Sequence, residues 1–171
     1  GADGHEVEEG LPGELLVRGP NVMLGYYGQP ELTAGAVDEQ GYLKTGDIVS
    51  RNMSGELVVQ GRSKEFILRS GFNVSPPEIE AVLNTHPTVL NSAVVGRSVE
   101  GNEEIIAFVE PVPGGSIEIN DLFTFIEGQL ARYKKPQQII VMQQLPVASN
   151  GKIRKHDLKK YAEASALSLS V

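Results

Sequence analysis

The apolar residues of this chain change their spacing near Ser63, and that switch narrows the folds open to it more than any other feature. Between Leu11 and Gly61, short apolar runs are broken by glycines and prolines, the pattern of strands and turns. Beyond Ser63, compact strand-like runs alternate with segments whose apolar residues recur at helical spacing. The chain therefore reads as a β-rich stretch over residues 1–61 and an α+β domain over residues 62–171, joined by the short polar segment Gln60 to Lys64.

In the first stretch, Glu14-Leu15-Leu16-Val17-Arg18 is a strand closed by Gly19-Pro20, and Asp47–Arg51 and Glu56–Gln60 flank Asn52-Met53-Ser54-Gly55 as a hairpin. None of this supplies a complete core. The strands read as edges cut from a larger sheet or barrel, and open edges invite pairing. The residues before Arg62 are expected to be disordered, or paired with a neighbouring chain in a strand-mediated dimer. The polar first ten residues read as loosely held.

In the second stretch, Phe66-Ile67-Leu68 is a strand, and Ser75-Pro76-Pro77-Glu78 opens a helix with a capping box and a proline at the first helical position. Ile79, Val82 and Leu83 give that helix its apolar face. Ala93-Val94-Val95 and Ile105–Val109 are strands joined across the polar Glu100 to Glu104 turn. Asn120 caps a second helix with Leu122, Phe123, Ile126 and Leu130 on one face. Ile139–Met142 is a further strand, His156 to Ala164 a last helix, and Ser165 to Val171 a frayed tail. The order β-α-β-β-α-β-α predicts a small α+β domain with helices packed on a mainly antiparallel sheet.

A chain of 171 residues that is 40% apolar can bury a core. Its net charge of −7 argues against a nucleic-acid partner, which needs a basic stripe. With no cysteine there is no disulfide, thiolate metal site or cysteine nucleophile, which suits a cytoplasmic protein. No apolar run approaches the ~20 residues of a membrane span, although peripheral membrane association stays compatible with this reading. The polar, acidic start lacks the features of a secretory signal. The chain does not begin with methionine, which fits a processed or excised piece.

Three glycine-marked polar motifs carry the candidate chemistry: Tyr42–Asp47, Gly61-Arg62-Ser63-Lys64, and Pro146–Arg154. Asp47 ends a Thr-Gly-Asp turn, where a carboxylate can accept both hydrogens of a ribose diol; an Asp that caps a turn fits the same residues. The planar fork of Arg62 suits a ribose oxygen or a phosphate, and equally a surface ion pair. Lys152, beside Gly151, is a compact cation able to stabilise charge developing on a phosphate; the run Lys152, Arg154, Lys155, Lys159, Lys160 also fits a solvated face. Arg132-Tyr133-Lys134-Lys135-Pro136 suits stacking on a base and pairing with a phosphate, or cations offsetting a helix end. His5, His86 and His156 lack metal-ligand spacing, and no P-loop, GxGxxG or Ser-His-Asp pattern is present.

Taken in order, these motifs resemble the adenylate-forming superfamily of acyl-CoA and aryl-CoA synthetases, peptide-synthetase adenylation domains and beetle luciferases. The resemblance runs from Gly13-Glu14-Leu15 through Gly19-Pro20, Gly25-Tyr26, Tyr42–Asp47, Gly61-Arg62 and Gly71-Phe72-Asn73-Val74-Ser75-Pro76-Pro77-Glu78-Ile79-Glu80 to Gly151-Lys152. It implies that a carboxylate attacks the α-phosphate of MgATP to give an acyl-adenylate and pyrophosphate, and that the CoA thiol then takes the acyl group and releases AMP. By the same resemblance, Asp47 and Arg62 hold the ribose and Lys152 stabilises adenylation. Lys64 is the hinge on which a mobile C-terminal lid turns, Gly71 lets backbone approach the pantetheine, and Tyr133 and Lys135 contact the CoA nucleotide.

Two departures from the family pattern stand out. Leu68 is apolar where many members carry a basic residue, with Arg69 beside it as a substitute, and Pro146-Val147-Ala148-Ser149 replaces the usual Pro-x-Thr. The phosphate loop, adenine-stacking motif, Mg-binding acid and acyl pocket belong upstream in this family. The chain is thus expected to be the last strands of a large domain's β-barrel subdomain plus the whole lid, inactive alone and dependent on its own missing N-terminal domain. Ser70-Gly71-Phe72-Asn73-Val74 with Pro76 looks most like fatty acyl-CoA ligases. An aryl-CoA ligase is the nearest alternative, and a free-standing, non-catalytic lid-like module is the alternative from another class. A peptide-synthetase domain fits less well without a following carrier module, and a luciferase-like oxygenase less well with Leu68 and no Ser-Lys-Leu ending.

Overall fold

The computed structural model describes Gly1 and residues 4–167. The chain divides into two compact units, Gly1–Lys64 and Glu65–Val171, so the division falls after Lys64 rather than after Gly61.

The first unit is an open antiparallel meander of β1 (Gly13–Val17), β2 (Leu43–Arg51) and β3 (Leu57–Arg62), in the order β1-β2-β3. The Asn52 hairpin forms because the Asn52 carboxamide oxygen accepts the N–H groups of Ser54 and Glu56 at 3.0 and 2.9 Å, while Gly55 takes the left-handed turn at φ 81°. Disorder before Arg62, or pairing with a neighbouring chain, was the expectation; in the structure β1, β2 and β3 are ordered and pair with one another. The lack of a core is confirmed: Val49 is the sole buried apolar residue among those described in this unit, and Leu57, Val58 and Val59 of β3 are exposed. A short helix, α1 (Pro30–Ala36), was not foreseen. It starts on a proline and buries no residue, so no periodic apolar face announces it.

The second unit opens with a two-stranded hairpin, β4 (Ile67–Arg69) and β5 (Phe72–Val74). Next come α2 (Pro76–Leu83), β6 (Val89–Val99), β7 (Asn102–Pro111), α3 (Ile119–Glu127), β8 (Gln138–Val141) and α4 (Lys155–Leu167). The long β6–β7 hairpin turns on Glu100 and Gly101, with Gly101 at φ 68°. β8 joins β7 in parallel, giving the sheet order β6-β7-β8. A parallel neighbour needs a crossover, and α3 supplies it.

Alternation along the strands sorts this unit's apolar side chains onto two faces. Val94, Ile105, Ala107, Val109 and Ile139 meet Ile79, Leu83, Leu122 and Ile126 of α2 and α3, and Ile67 and Val74 of the β4–β5 hairpin. Ala93, Val95, Ile106 and Phe108 meet Leu145 and, on α4, Leu158 and Ala162. Each fully buried Leu, Ile or Phe contributes about 1.5–3 kcal/mol, so both faces stabilise the same sheet.

Three local expectations are corrected. Ser75 is the N-cap of α2 but makes no side-chain cap hydrogen bond; Glu78, its supposed capping-box partner, ion-pairs with Lys134 at 2.6 Å instead. The N-cap of α3 is Glu118, which leaves Asn120 inside the first turn. α4 begins at Lys155 and carries on through Ser165 to Leu167, so that part of the expected frayed tail is helical. The rest, 168–171, lies outside the described residues, as do Ala2 and Asp3 among the first ten.

Candidate functional site

In the first unit, Asp47 and Arg62 are direct cross-strand partners in the β2–β3 ladder. Arg62 Nε lies 2.8 Å from Asp47 Oδ1, with the side chains 58% and 28% exposed, and Arg62 Nη1 donates to the Thr45 carbonyl at 3.3 Å. The turn is built to aim them: Gly46 sits at φ 74°, the Thr45 hydroxyl donates to the Leu15 carbonyl at 2.9 Å and accepts the Asp47 N–H at 3.0 Å. Exposed as it is, this pair contributes little stability. What it offers is a carboxylate and a guanidinium side by side, facing water. Lys64 stands in the 3-10 turn Ser63–Glu65, at the last position of the unit.

In the second unit, Gly71, Tyr133 and Lys135 come together. Arg69 and Phe72 pair across a two-residue turn in which Ser70 (φ 50°) and Gly71 (φ 82°) both adopt left-handed backbone, the type I′ geometry that suits a tight hairpin. A Cβ on Gly71 would meet nothing within 4 Å, so the turn tip is open. Phe72 stacks on Tyr133 with ring centroids 4.5 Å apart, and Arg69 Nη1 donates to the Lys135 carbonyl at 3.3 Å. Leu68, at the departure from the family pattern, is half exposed and donates its N–H to Glu103 at 2.7 Å. Lys134 and Lys135 pair with Glu78 and Glu127 at 2.6 and 3.5 Å. The hydrogen bonds that the Lys134 ammonium donates to Glu78 hold its pKa above the usual lysine range, with burial pulling the other way. Phe72 was missed in the sequence, although its place after the Ser70-Gly71 turn is a signal that a strand residue would reach across from the hairpin.

Lys152 is not part of that cluster. It belongs to the loop between β8 and α4, whose flanks Leu145 and Ile153 pack into the core on the α4 side of the sheet. The loop is pinched shut by a Val147–Ile153 bridge, by Ala148 N–H to the Lys152 carbonyl at 2.8 Å and by Arg154 N–H to the Pro146 carbonyl at 2.8 Å. Gly151 makes the bend at φ 79°. With Ile153 turned inward, Lys152 is exposed, and among the described residues it enters no ion pair, whereas Arg154, Lys155 and Lys159 all do. Among the described residues no three His, Cys, Asp or Glu side chains group as metal ligands, and no helix is long and apolar enough to cross a membrane.

A three-stranded sheet sandwiched by helices, with a lysine loop on one face and a glycine hairpin beside an aromatic–basic loop on the other, is the C-terminal lid architecture of adenylate-forming enzymes. Residues 78–152 match the family model of the AMP-binding enzyme C-terminal domain, and that stretch of the chain belongs to that family. It is 40% identical over 161 residues to the indoleacetate–CoA ligase of Aromatoleum aromaticum, covering 94% of this chain and 31% of that one. It is 38% identical over 157 residues to the mitochondrial medium-chain acyl-CoA ligase ACSF2 of Macaca fascicularis, covering 91% of this chain and 25% of that one. Among solved structures, the o-succinylbenzoate CoA synthetase MenE of Bacillus subtilis, in complex with the acyl-adenylate intermediate OSB-AMP, matches with a TM-score of 0.84 at 30% identity, over 92% of this chain and 32% of that one. The chain thus spans about a third or less of the length of these relatives.

Proposed function

We propose that this chain is the C-terminal part of an ATP-dependent acid–CoA ligase, which converts a carboxylate, ATP and CoA into acyl-CoA, AMP and pyrophosphate through an acyl-adenylate. The observation that carries this reading is the placement of Lys152 and of the Gly71–Tyr133–Lys135 cluster on opposite faces of one sheet. A single rigid unit cannot present both faces to one reaction centre at once. Two successive steps, each using one face, fit that arrangement.

In the first step the Lys152 ammonium stabilises the negative charge that builds on the α-phosphate as the carboxylate attacks, and Asp47 and Arg62 hold the ribose hydroxyls. In the second, the open tip at Gly71 lets backbone approach the pantetheine arm. The Phe72–Tyr133 stack with Arg69, Lys134 and Lys135 offers an aromatic surface and cations suited to the CoA nucleotide. Lys64 is the hinge between these states. The Mg ion that accompanies ATP, the phosphate loop and the acyl pocket fall to residues outside this chain in this reading.

A fatty acid is the substrate favoured by the Ser70–Val74 segment. An aryl or indolyl acid is the second reading, favoured by the 40% identity to an indoleacetate–CoA ligase. A cytoplasmic location belongs to the same proposal; one relative's mitochondrial name shows that location varies among similar proteins. The test is carboxylate-dependent exchange of labelled pyrophosphate into ATP with octanoate, 4-coumarate and indole-3-acetate. Exchange is expected from the complete protein and not from these 171 residues alone. Exchange by this chain alone would refute its role as a part.

A further inference from the structure

Lys155 is the first residue of α4, the end of a helix where the dipole disfavours a cation. Its neighbour Arg154 is offset locally by Asp157 in the first turn, 3.1 Å away. Lys155 instead reaches away from its own helix to two carboxylates, Glu80 Oε1 on α2 at 2.7 Å and Glu65 Oε2 at 3.5 Å. Glu80 is only 16% exposed and is itself held at the sheet edge: its Oε1 accepts the Val94 N–H of β6 at 2.7 Å, and its carbonyl accepts the Ser92 hydroxyl at 3.3 Å. A lysine at an unfavourable helix position, drawn to a largely buried carboxylate fixed by a strand, makes a strap across the β6 edge between the two faces of the sheet.

The strap ends three residues from Lys152. The intervening loop has one anchor at its start, where Leu145 is buried and its N–H donates to Glu110 at 3.2 Å, and Lys155 as the anchor at its end. We infer that Lys155 is a positioning residue for Lys152: its ion pair with Glu80 sets where the lysine loop closes, and so where the Lys152 ammonium stands. This rests on the ligase reading for its consequence in catalysis, but not for the coupling itself. A misplacement of about 1 Å at a reacting group costs on the order of a hundredfold in rate, so a strap of this kind bears on turnover without touching substrate.

The test uses Lys155→Met, Lys155→Arg and Glu80→Gln, with two readouts. On this chain, amide hydrogen exchange at Ala148 and Arg154, whose N–H groups close the loop, is expected to rise about tenfold or more in Lys155→Met and Glu80→Gln while Phe108 in β7 is unchanged. In the complete protein, Lys155→Met is expected to lower kcat for pyrophosphate exchange about ten- to a hundredfold with little change in KM for ATP. Thioester formation from supplied acyl-adenylate and CoA should persist, and Lys155→Arg should restore most of the lost rate. Loop exchange at the wild-type level in Lys155→Met overturns the inference whatever the enzyme does. Equal loss of both half-reactions, or no rescue by arginine, also overturns it, because that is what general unfolding produces. Failure of the wild-type complete protein to exchange pyrophosphate with any of the three acids is a different result, and it sinks the ligase reading rather than the coupling.

Discussion

The candidate site cations on the two faces of the β6–β7–β8 sheet are held differently. On the α2–α3 face, Lys134 and Lys135 are tied to Glu78 and Glu127, and Arg69 to a backbone carbonyl, around a stacked aromatic pair. On the α4 face, Lys152 projects from a loop whose flanks are packed into the core and, among the described residues, enters no ion pair, although its neighbours Arg154, Lys155 and Lys159 do. In the proposed ligase, Lys134 and Lys135 would meet a nucleotide by exchanging the Glu78 and Glu127 carboxylates for phosphate oxygens. A lone ammonium on a braced loop suits charge that exists only in a transition state. Under the proposed function, one small sheet carries a binding surface and a catalytic group that are used at different times.

The largest expected effect tests whether the faces are one structure. Leu83→Ala empties a site under α2 and Leu158→Ala one under α4, both fully buried, and each should cost about 2–5 kcal/mol in urea unfolding. Because both faces rest on the same strands, each variant should unfold in a single transition by circular dichroism. Selective loss of α4 in Leu158→Ala would mean that the lysine face is an independent layer.

A smaller effect sharpens the role of the hairpin face. Gly71→Ala meets no atom, so its cost is backbone strain alone, about 1–2 kcal/mol. In the complete protein it should slow thioester formation while leaving pyrophosphate exchange intact. If both steps keep wild-type rates, Gly71 serves only the turn.

How far the sequence alone reached follows from what each residue depends on. The alternation in Ala93–Val95 and Ile105–Val109 and the helical face of Ile79 and Leu83 are local patterns, and they placed the core correctly. The direction of β8 was not legible, since a four-residue apolar run has no orientation until α3 carries the chain across. The capping box was legible but wrong, because Lys134, distant in sequence, competes for the Glu78 carboxylate. Asp47 and Arg62 were legible one at a time. That they form an ion pair depends on the β2–β3 register. Likewise, the helix covering each face, and hence the separation of Lys152 from Tyr133, is a tertiary fact that strand alternation leaves open.

The most direct test of two faces serving two steps is a crossed measurement in the complete protein. Lys152→Ala should lose about 10²–10³-fold in pyrophosphate exchange and largely keep thioester formation from supplied acyl-adenylate. Lys135→Ala should keep exchange and raise KM for CoA in the thioester step. Loss of the same step in both variants would contradict the account.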